Sequence, residues 1–363
     1  MSALPIEALF CVGFDGTAAP EHLRPLLAAG LGGVILFRRN AESLEQLCRL
    51  TGALHAAAGR PLLLGVDQEG GRVRRLPLPF LPAPPAAALG DADDPALTQE
   101  LACAVGRELR AAGITWNLAP VLDVWTNSAN TVIGDRAYGE TPELVGRHGL
   151  AALRGYAEAG ILATAKHFPG HGDTAADSHE TLPESRQPAA RWRAVELAPF
   201  RQAIQAGVPL VLVAHLLCPA LDPELPSSLS PRTITGILRQ EIGFTGVVVS
   251  DDLEMAAISA RMDVGEAAVR FLEAGGDLVL ICHQPDRQQA AMAAVRAAIG
   301  SGRLPEARVA ESIARITRCA ARLRGPQSPD PVAARATVGA PSHHRLLADL
   351  TSRRRDVSCR LRA

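Results

Sequence analysis

The sequence predicts an α/β protein, a (β/α)8 TIM barrel formed by residues 1–324 with a short extension over 325–363. Three observations carry this. Short apolar runs bounded by Gly or Pro recur eight times, and runs of this kind suit strands buried on both faces of a parallel sheet. Longer amphipathic stretches alternate with them, as a repeated strand–helix unit requires. Each run is followed by a charged or histidine residue, which is where a barrel of this kind places its active site. The length of 363 residues is ample for one such barrel, and no GxGxxG follows the first run to favour an open dinucleotide-binding sheet.

The predicted strands are Ala8–Gly13, Gly33–Phe37, Leu62–Val66, Thr115–Val121, Ile161–Ala165, Leu210–Ala214, Gly246–Ser250 and Asp277–Cys282. The residues following them are, in order, Asp15, Arg38-Arg39-Asn40, Asp67-Gln68-Glu69, Asp123, Lys166-His167, His215, Asp251-Asp252 and His283. Helices are expected over Ala41–Ala58 with Asn40 as N-cap, Pro95–Ala112 after Asp94, and Pro142–Ala159 after Thr141. A polar cap followed by Pro is a helix-start signal. Further helices are expected over Ala189–Ala206, Pro231–Glu241, Val264–Ala274, Arg287–Ile299 and Pro305–Leu323. Gly325–Pro341 reads as an extended wrap or linker, and Ser342–Arg353 as a short terminal helix. The Pro-rich stretch Pro77–Pro85 has no evident role.

Composition excludes several classes. A net charge of −1 gives no global field toward nucleic acid or anionic lipid. The longest apolar run, Val208–Leu221, is interrupted by His215 and falls short of the ~20 residues of a membrane helix. Seven dispersed cysteines without a CxxC pair point to reduced core thiols rather than disulfides or a zinc site. No basic region precedes the first apolar stretch, so no signal peptide is visible. These features together lead us to expect a soluble, cytoplasmic monomer that binds neither nucleic acid nor membrane.

The richest segment is ATAKHFPGHGDTAADSHETLP, Ala163–Pro183. It contains three histidines, three acidic residues and Lys166, the sole lysine beside 36 arginines. Between Pro169 and Pro183 it reads as a long loop, and loops of that length are usually functional. One reading makes His167, His171, Asp173, Asp177, His179 and His215 candidate zinc ligands, although no HxH or HExxH template is present. Another makes Asp177 and His179 an acid/base unit, the carboxylate fixing the tautomer of the imidazole and raising its pKa. Asp251, at the end of the seventh run, is a carboxylate on a rigid strand that can attack an electrophilic sugar carbon. Asp252 should point away from the same site. Asp67 can accept hydrogen bonds from two hydroxyls, with Arg75 reaching back beyond Gly70-Gly71 and Arg136 offering its planar fork. At position 166 a compact ammonium on a flexible stem suits a narrow hydroxyl-lined pocket that a guanidinium would not fit.

The blocks ILFRRN, GVDQEGGRVRR, NLAPVLDV, IGDRAY, KHFPGHGDTAADSHETLP and GVVVSDDLEM, in this order between residues 33 and 255, resemble the signature blocks of family 3 glycoside hydrolases. The best match is to the β-N-acetylglucosaminidase branch. The β-glucosidase branch draws its acid/base glutamate from a second domain, for which residues 325–363 are too few. Arg38 and Asp135 depart from the expected pattern without touching a proposed catalytic position. The resemblance implies a (β/α)8 barrel and a retaining two-step mechanism. It implies Asp251 as nucleophile, His179 as acid/base and Asp177 as its partner. Asp67, Arg75, Arg136, Lys166 and His167 would hold the N-acetylglucosamine ring. The implied substrate is a muropeptide, β-1,4-linked N-acetylglucosamine on 1,6-anhydro-N-acetylmuramic acid, in peptidoglycan recycling, with no metal or organic cofactor. A neutral histidine would also admit phosphate as acceptor, so phosphorolysis is open. A metal-dependent hydrolase and a non-catalytic sugar-binding barrel are the readings of other classes.

Overall fold

The computed structural model describes residues 4–174, 182–323 and 328–360, with 354–360 by backbone alone. Eight parallel strands close into a barrel: β1 (Phe10–Val12), β2 (Gly33–Leu36), β3 (Leu63–Val66), β4 (Trp116–Asn117), β5 (Leu162–Phe168), β6 (Leu210–Val213), β7 (Val247–Asp252) and β8 (Leu278–Ile281). Each pairs with its sequence neighbours, and β1 pairs with β8 to close the ring. The eight strands coincide with the eight apolar runs. The strands are mostly apolar because one face fills the barrel and the other meets the helices, and the charged residues they carry, Lys166, His167, Asp251 and Asp252, stand toward their C-terminal ends. Among the described residues no helix is long and apolar enough to cross a membrane. The described cysteines are all free and buried.

The helix-start signals act as expected at two positions. Asp94 caps Pro95–Ala111 by accepting the Leu97 N–H at 3.1 Å. Thr141 caps Pro142–Ala159 by accepting the Leu144 N–H at 3.4 Å. Four expectations need correction. The helix expected from Ala41 starts at Leu44 with Ser43, not Asn40, as its cap. Asn40 is instead buried, donating to the Phe14 and Gly16 carbonyls. The single helix expected over Ala189–Ala206 is two, Ala189–Ala194 and Ala198–Gln205, because Pro199 has no N–H to continue the ladder. Arg232–Glu241 winds with the wider i→i+5 pattern. The expected linker Gly325–Pro341 contains a helix, Pro331–Thr337, started by Asp330 and Pro331 in the same way as Asp94-Pro95. Short helices at Leu23–Ala28 and Ala86–Ala92 had no clear pattern in the sequence. The terminal helix, Pro341–Arg360, packs on Ala86–Ala92 and Pro95–Ala111.

The N-terminal end of the barrel carries a buried charge cluster remote from the strand C-termini. Asp277, fully buried just before β8, accepts from Ser312 Oγ at 2.6 Å, Arg315 at 3.1 Å, Arg308 at 3.3 Å and the Val248 N–H at 3.0 Å. Arg239 forms a further, shorter ion pair with the same carboxylate. Removing one member of such a cluster leaves buried charge uncompensated, so Asp277→Ala is expected to lower unfolding free energy by about 3–5 kcal/mol in a urea titration. Activity per folded molecule should stay unchanged, since this end of the barrel serves stability.

Candidate active site

The C-terminal ends of the strands surround a cleft of about 210 Å³, below the roughly 300–1,000 Å³ of drug-sized ligand sites and so suited to a single small ring. Its lining includes Asp67, Glu69, Arg75, Arg136, Lys166, His167 and Asp251. Each sequence-predicted site residue among the described residues therefore reaches one cavity. Asp177 and His179 lie outside the described residues.

A chain of hydrogen-bonded and ion-paired side chains forms one wall. Lys166 Nζ, on a side chain 3 % exposed, lies 2.6 Å from Asp67 Oδ1 and 2.6 Å from Glu69 Oε1. Arg136 grips Glu69 with two parallel bonds, Nε to Oε2 and Nη2 to Oε1, both 2.8 Å. The same Nη2 donates to His167 Nε2 at 3.2 Å. His167 Nδ1 in turn lies 2.7 Å from Asp123 Oδ2. These partners assign the His167 tautomer: Nδ1–H donates to Asp123, and Nε2 accepts from Arg136. Asp123 is fully buried and its Oδ1 takes the His171 N–H at 2.7 Å.

The electrostatics follow from this order. Burial would raise the Glu69 pKa, but Arg136 and Lys166 outweigh it and hold the carboxyl well below its usual range. Burial would lower Lys166, yet Asp67 and Glu69 raise it, so the ammonium stays charged. Arg136 is raised by Glu69 against the same burial penalty. Asp123, despite burial, is lowered chiefly by His167.

Asp251 stands at the C-terminal end of β7. Burial acts to raise its pKa, but His215, His167, the Asp252 N–H and Lys166 together lower it, so the carboxylate is ionised at neutral pH. The Asp252 N–H donates to Asp251 Oδ1 at 2.9 Å. Asp252 was expected to point away; it lines the cleft as well, toward His283. Its oxygens are committed elsewhere: Oδ1 accepts the Glu254 and Cys282 N–H groups at 3.1 and 3.2 Å, and Oδ2 lies 3.3 Å from His283 Nε2. The strand end carries both aspartates to the rim, and only the hydrogen bonds distinguish them.

The loop's described ends are anchored. Gly172 fits against the Val124 carbonyl, where a Cβ would come within 1.9 Å. Asn130 holds the His171 carbonyl at 2.6 Å, and Asp173 accepts from Ser185 Oγ at 2.8 Å. On the far side the Pro183 carbonyl accepts the Leu217 N–H at 2.9 Å. The described candidate zinc ligands are separately engaged. His171 Nδ1 meets Thr174 Oγ1 at 2.7 Å, and His215 lies between Ser228 Oγ at 2.7 Å and the Asp252 carbonyl at 3.0 Å. Among the described residues no group of three or more His, Cys, Asp or Glu is placed to hold a metal ion.

Two site residues were missed in the sequence. Glu69 joins Lys166 to Arg136, and Asp123 orients His167. Both follow strands, but nothing in the sequence states which of Gln68 and Glu69 faces the cleft. Gln68 instead holds the backbone, its Oε1 accepting the Arg75 and Leu76 N–H groups at 2.9 and 3.3 Å. Arg75 Nε is buried without a partner at the cleft wall, a donor left for a ligand.

Fold and cleft define a barrel enzyme with an ionised strand-end carboxylate facing a wall of donors and acceptors suited to a polyol. Comparison with known proteins narrows this class. The family model described as "Glycosyl hydrolase family 3 N terminal domain" matches residues 9–319, and the chain belongs to that family. A beta-hexosaminidase of Alkalilimnicola ehrlichii is 41% identical over 282 residues, 76% of this chain and 80% of the relative. The solved family 3 β-N-acetylglucosaminidase from Paenibacillus sp. FPU-7 superposes with a TM-score of 0.90 at 42% identity, over 97% of this chain and 69% of that one. The β-N-acetylhexosaminidase of Beutenbergia cavernae gives a TM-score of 0.81 at 32% identity, covering 87% of this chain and 97% of the other. The protein is a glycoside hydrolase of the β-N-acetylhexosaminidase type.

Lys166→Arg tests the wall. A guanidinium carries more atoms into a space bounded by two carboxylates at 2.6 Å, and Arg and Lys are not interchangeable where geometry is fixed. We expect kcat/KM on a chromogenic N-acetylglucosaminide to fall about a hundredfold with the fold retained by circular dichroism.

Proposed function

We propose that this protein is a retaining, exo-acting β-N-acetylglucosaminidase that removes terminal β-linked N-acetylglucosamine from 1,6-anhydro-muropeptides in cytoplasmic peptidoglycan recycling. The observation that carries the reading is the ionised Asp251 carboxylate sharing one small cleft with Asp67, Arg75, Arg136, Lys166 and His167. The names of the relatives support the sugar, and the resemblance of the Ala163–Pro183 block supports the acid/base assignment.

The chemistry then runs in two displacements. The sugar lies against the charged wall, with hydroxyls accepted by Asp67 and donated to by Lys166, Arg75 and Arg136. Asp251 attacks the anomeric carbon and forms the ester bond while the glycosidic bond breaks. His179, protonated and oriented by Asp177, gives its proton to the leaving oxygen. Now neutral, His179 takes a proton from water, whose oxygen displaces Asp251 from the anomeric carbon and restores its configuration. The lowered Asp251 pKa serves both steps, keeping the nucleophile ionised and making it a competent leaving group.

Mass spectrometry of the enzyme inactivated with a 5-fluoro N-acetylglucosaminyl donor should find the label on the peptide containing Asp251. His179→Ala should lower kcat about 10²–10⁴-fold, the usual contribution of a general acid/base, while leaving the thermal midpoint near that of the parent. A label on any other residue overturns the nucleophile assignment.

A further inference from the structure

The Pro77–Pro85 stretch, which the sequence left without a role, passes between the sugar-binding loop and the C-terminal extension. On one side it supports the hairpin of Gln68–Gly70 and Val73–Arg74. The Gly71 N–H donates to the Ala83 carbonyl at 2.9 Å. Gly70, at φ +117°, lies so close to the Pro84 carbonyl that a Cβ would come within 2.2 Å. The stretch begins directly after Arg75 and Leu76, and Phe80, Leu81 and Ala83 are buried. It therefore leaves the hairpin beside one ligand-facing residue and returns beneath the turn that follows the other, Glu69.

On its other side the stretch is tied to a single buried carboxylate. Glu108, on helix Pro95–Ala111 and 1 % exposed, accepts the Leu81 N–H at 2.6 Å through Oε2. Its Oε1 takes the Gly339 N–H at 3.0 Å and lies 2.7 Å from His343 Nδ1. Gly339, at φ +71°, sits against the Pro79 carbonyl, 2.7 Å from where a Cβ would be. Three segments distant in sequence thus meet at one acceptor. Two of its donors lie beyond residue 319, where the match to the family domain ends. A buried carboxylate that lost these donors would be left unsatisfied, so the three segments hold position together.

We propose that Glu108 is a positioning residue for the sugar-binding loop, and that the C-terminal segment around Gly339 and His343 holds Glu69 and Arg75 in the cleft through it and the Pro77–Pro85 strap. This rests on the reading of Asp67–Arg75 as sugar-binding. Glu108→Gln replaces one acceptor oxygen with an NH2 that faces an N–H donor. Gly339→Ala leaves the carboxylate intact and pushes the strap at Pro79. Arg335→Ala is the control: it removes an exposed ion pair to Glu45 at 2.7 Å from the same C-terminal region without touching the strap.

Steady-state kinetics on a chromogenic N-acetylglucosaminide, with thermal unfolding alongside, test the proposal. Glu108→Gln and Gly339→Ala should each raise KM about tenfold while kcat changes less, the signature of lost ground-state binding; Arg335→Ala should leave KM unchanged. A lowered thermal midpoint with KM within about twofold of the parent assigns Glu108 a purely structural role and overturns the proposal. Where Glu108→Gln does not fold, Gly339→Ala decides by the same criterion. Asp67→Ala separates the premises. If it raises KM and the strap variants do not, the inference alone fails. If it too leaves KM unchanged, the sugar-binding reading fails.

Discussion

The charged wall at the open end of the barrel depends on Glu69. This buried carboxylate receives two bonds from Arg136 and one from Lys166, and each cation reaches onward, Arg136 to His167 and Lys166 to Asp67. Charges taken out of water are tolerated only when paired and hydrogen-bonded. The order Asp123, His167, Arg136, Glu69, Lys166, Asp67 meets that requirement at every step. Such a chain has one arrangement, because displacing any member strands its neighbours. A sugar entering the cleft therefore meets donors and acceptors already in place, which lowers the cost of ordering them on binding.

The two ends of the barrel use the same physics for different purposes. At the N-terminal end Asp277 collects three arginines and a serine into a closed cluster that offers nothing to a ligand. At the C-terminal end the pairing is deliberately incomplete: Asp67 has one oxygen bonded to Lys166, and Arg75 Nε has no partner. Asp251 is the sharpest instance. Its neighbour Asp252 satisfies both oxygens on backbone N–H groups and His283, while Asp251 is held low in pKa by His215, His167, the Asp252 N–H and Lys166 and faces the cavity. Rigid strands fix these groups. The long segment after β5 is anchored at both of its described ends, by Asn130 and Ser185 on one side and Leu217 on the other.

Much of this was legible in the sequence for a physical reason. Strands buried on both faces are apolar along most of their length, so all eight announced themselves as runs between breakers. The polar residue after each had to be at the open end. Asp251, Asp67, Lys166 and His167 were found this way and Arg136 on the loop after the fourth run, and the resemblance to a family gave them roles. What escaped notice depended on direction rather than composition. Glu69 and Gln68 are adjacent and equally polar, yet one bonds to cations in the cleft and the other to its own backbone. The helix at Pro331–Thr337 was signalled by Asp330-Pro331 but lost among prolines and alanines that read as linker. The role of Pro77–Pro85 could not be read locally at all, because its partners Glu108 and Gly339 are distant in sequence.

The central claim is that the Glu69-centred chain presents one sugar ring to Asp251. A crystal structure with N-acetylglucosamine bound tests it most directly. Ring hydroxyls are expected on Asp67, Lys166 and Arg136, with the six members of the chain unmoved and the anomeric carbon about 3–3.5 Å from an Asp251 oxygen. A sugar bound elsewhere, or held in the cleft with its anomeric carbon turned from Asp251, would contradict it.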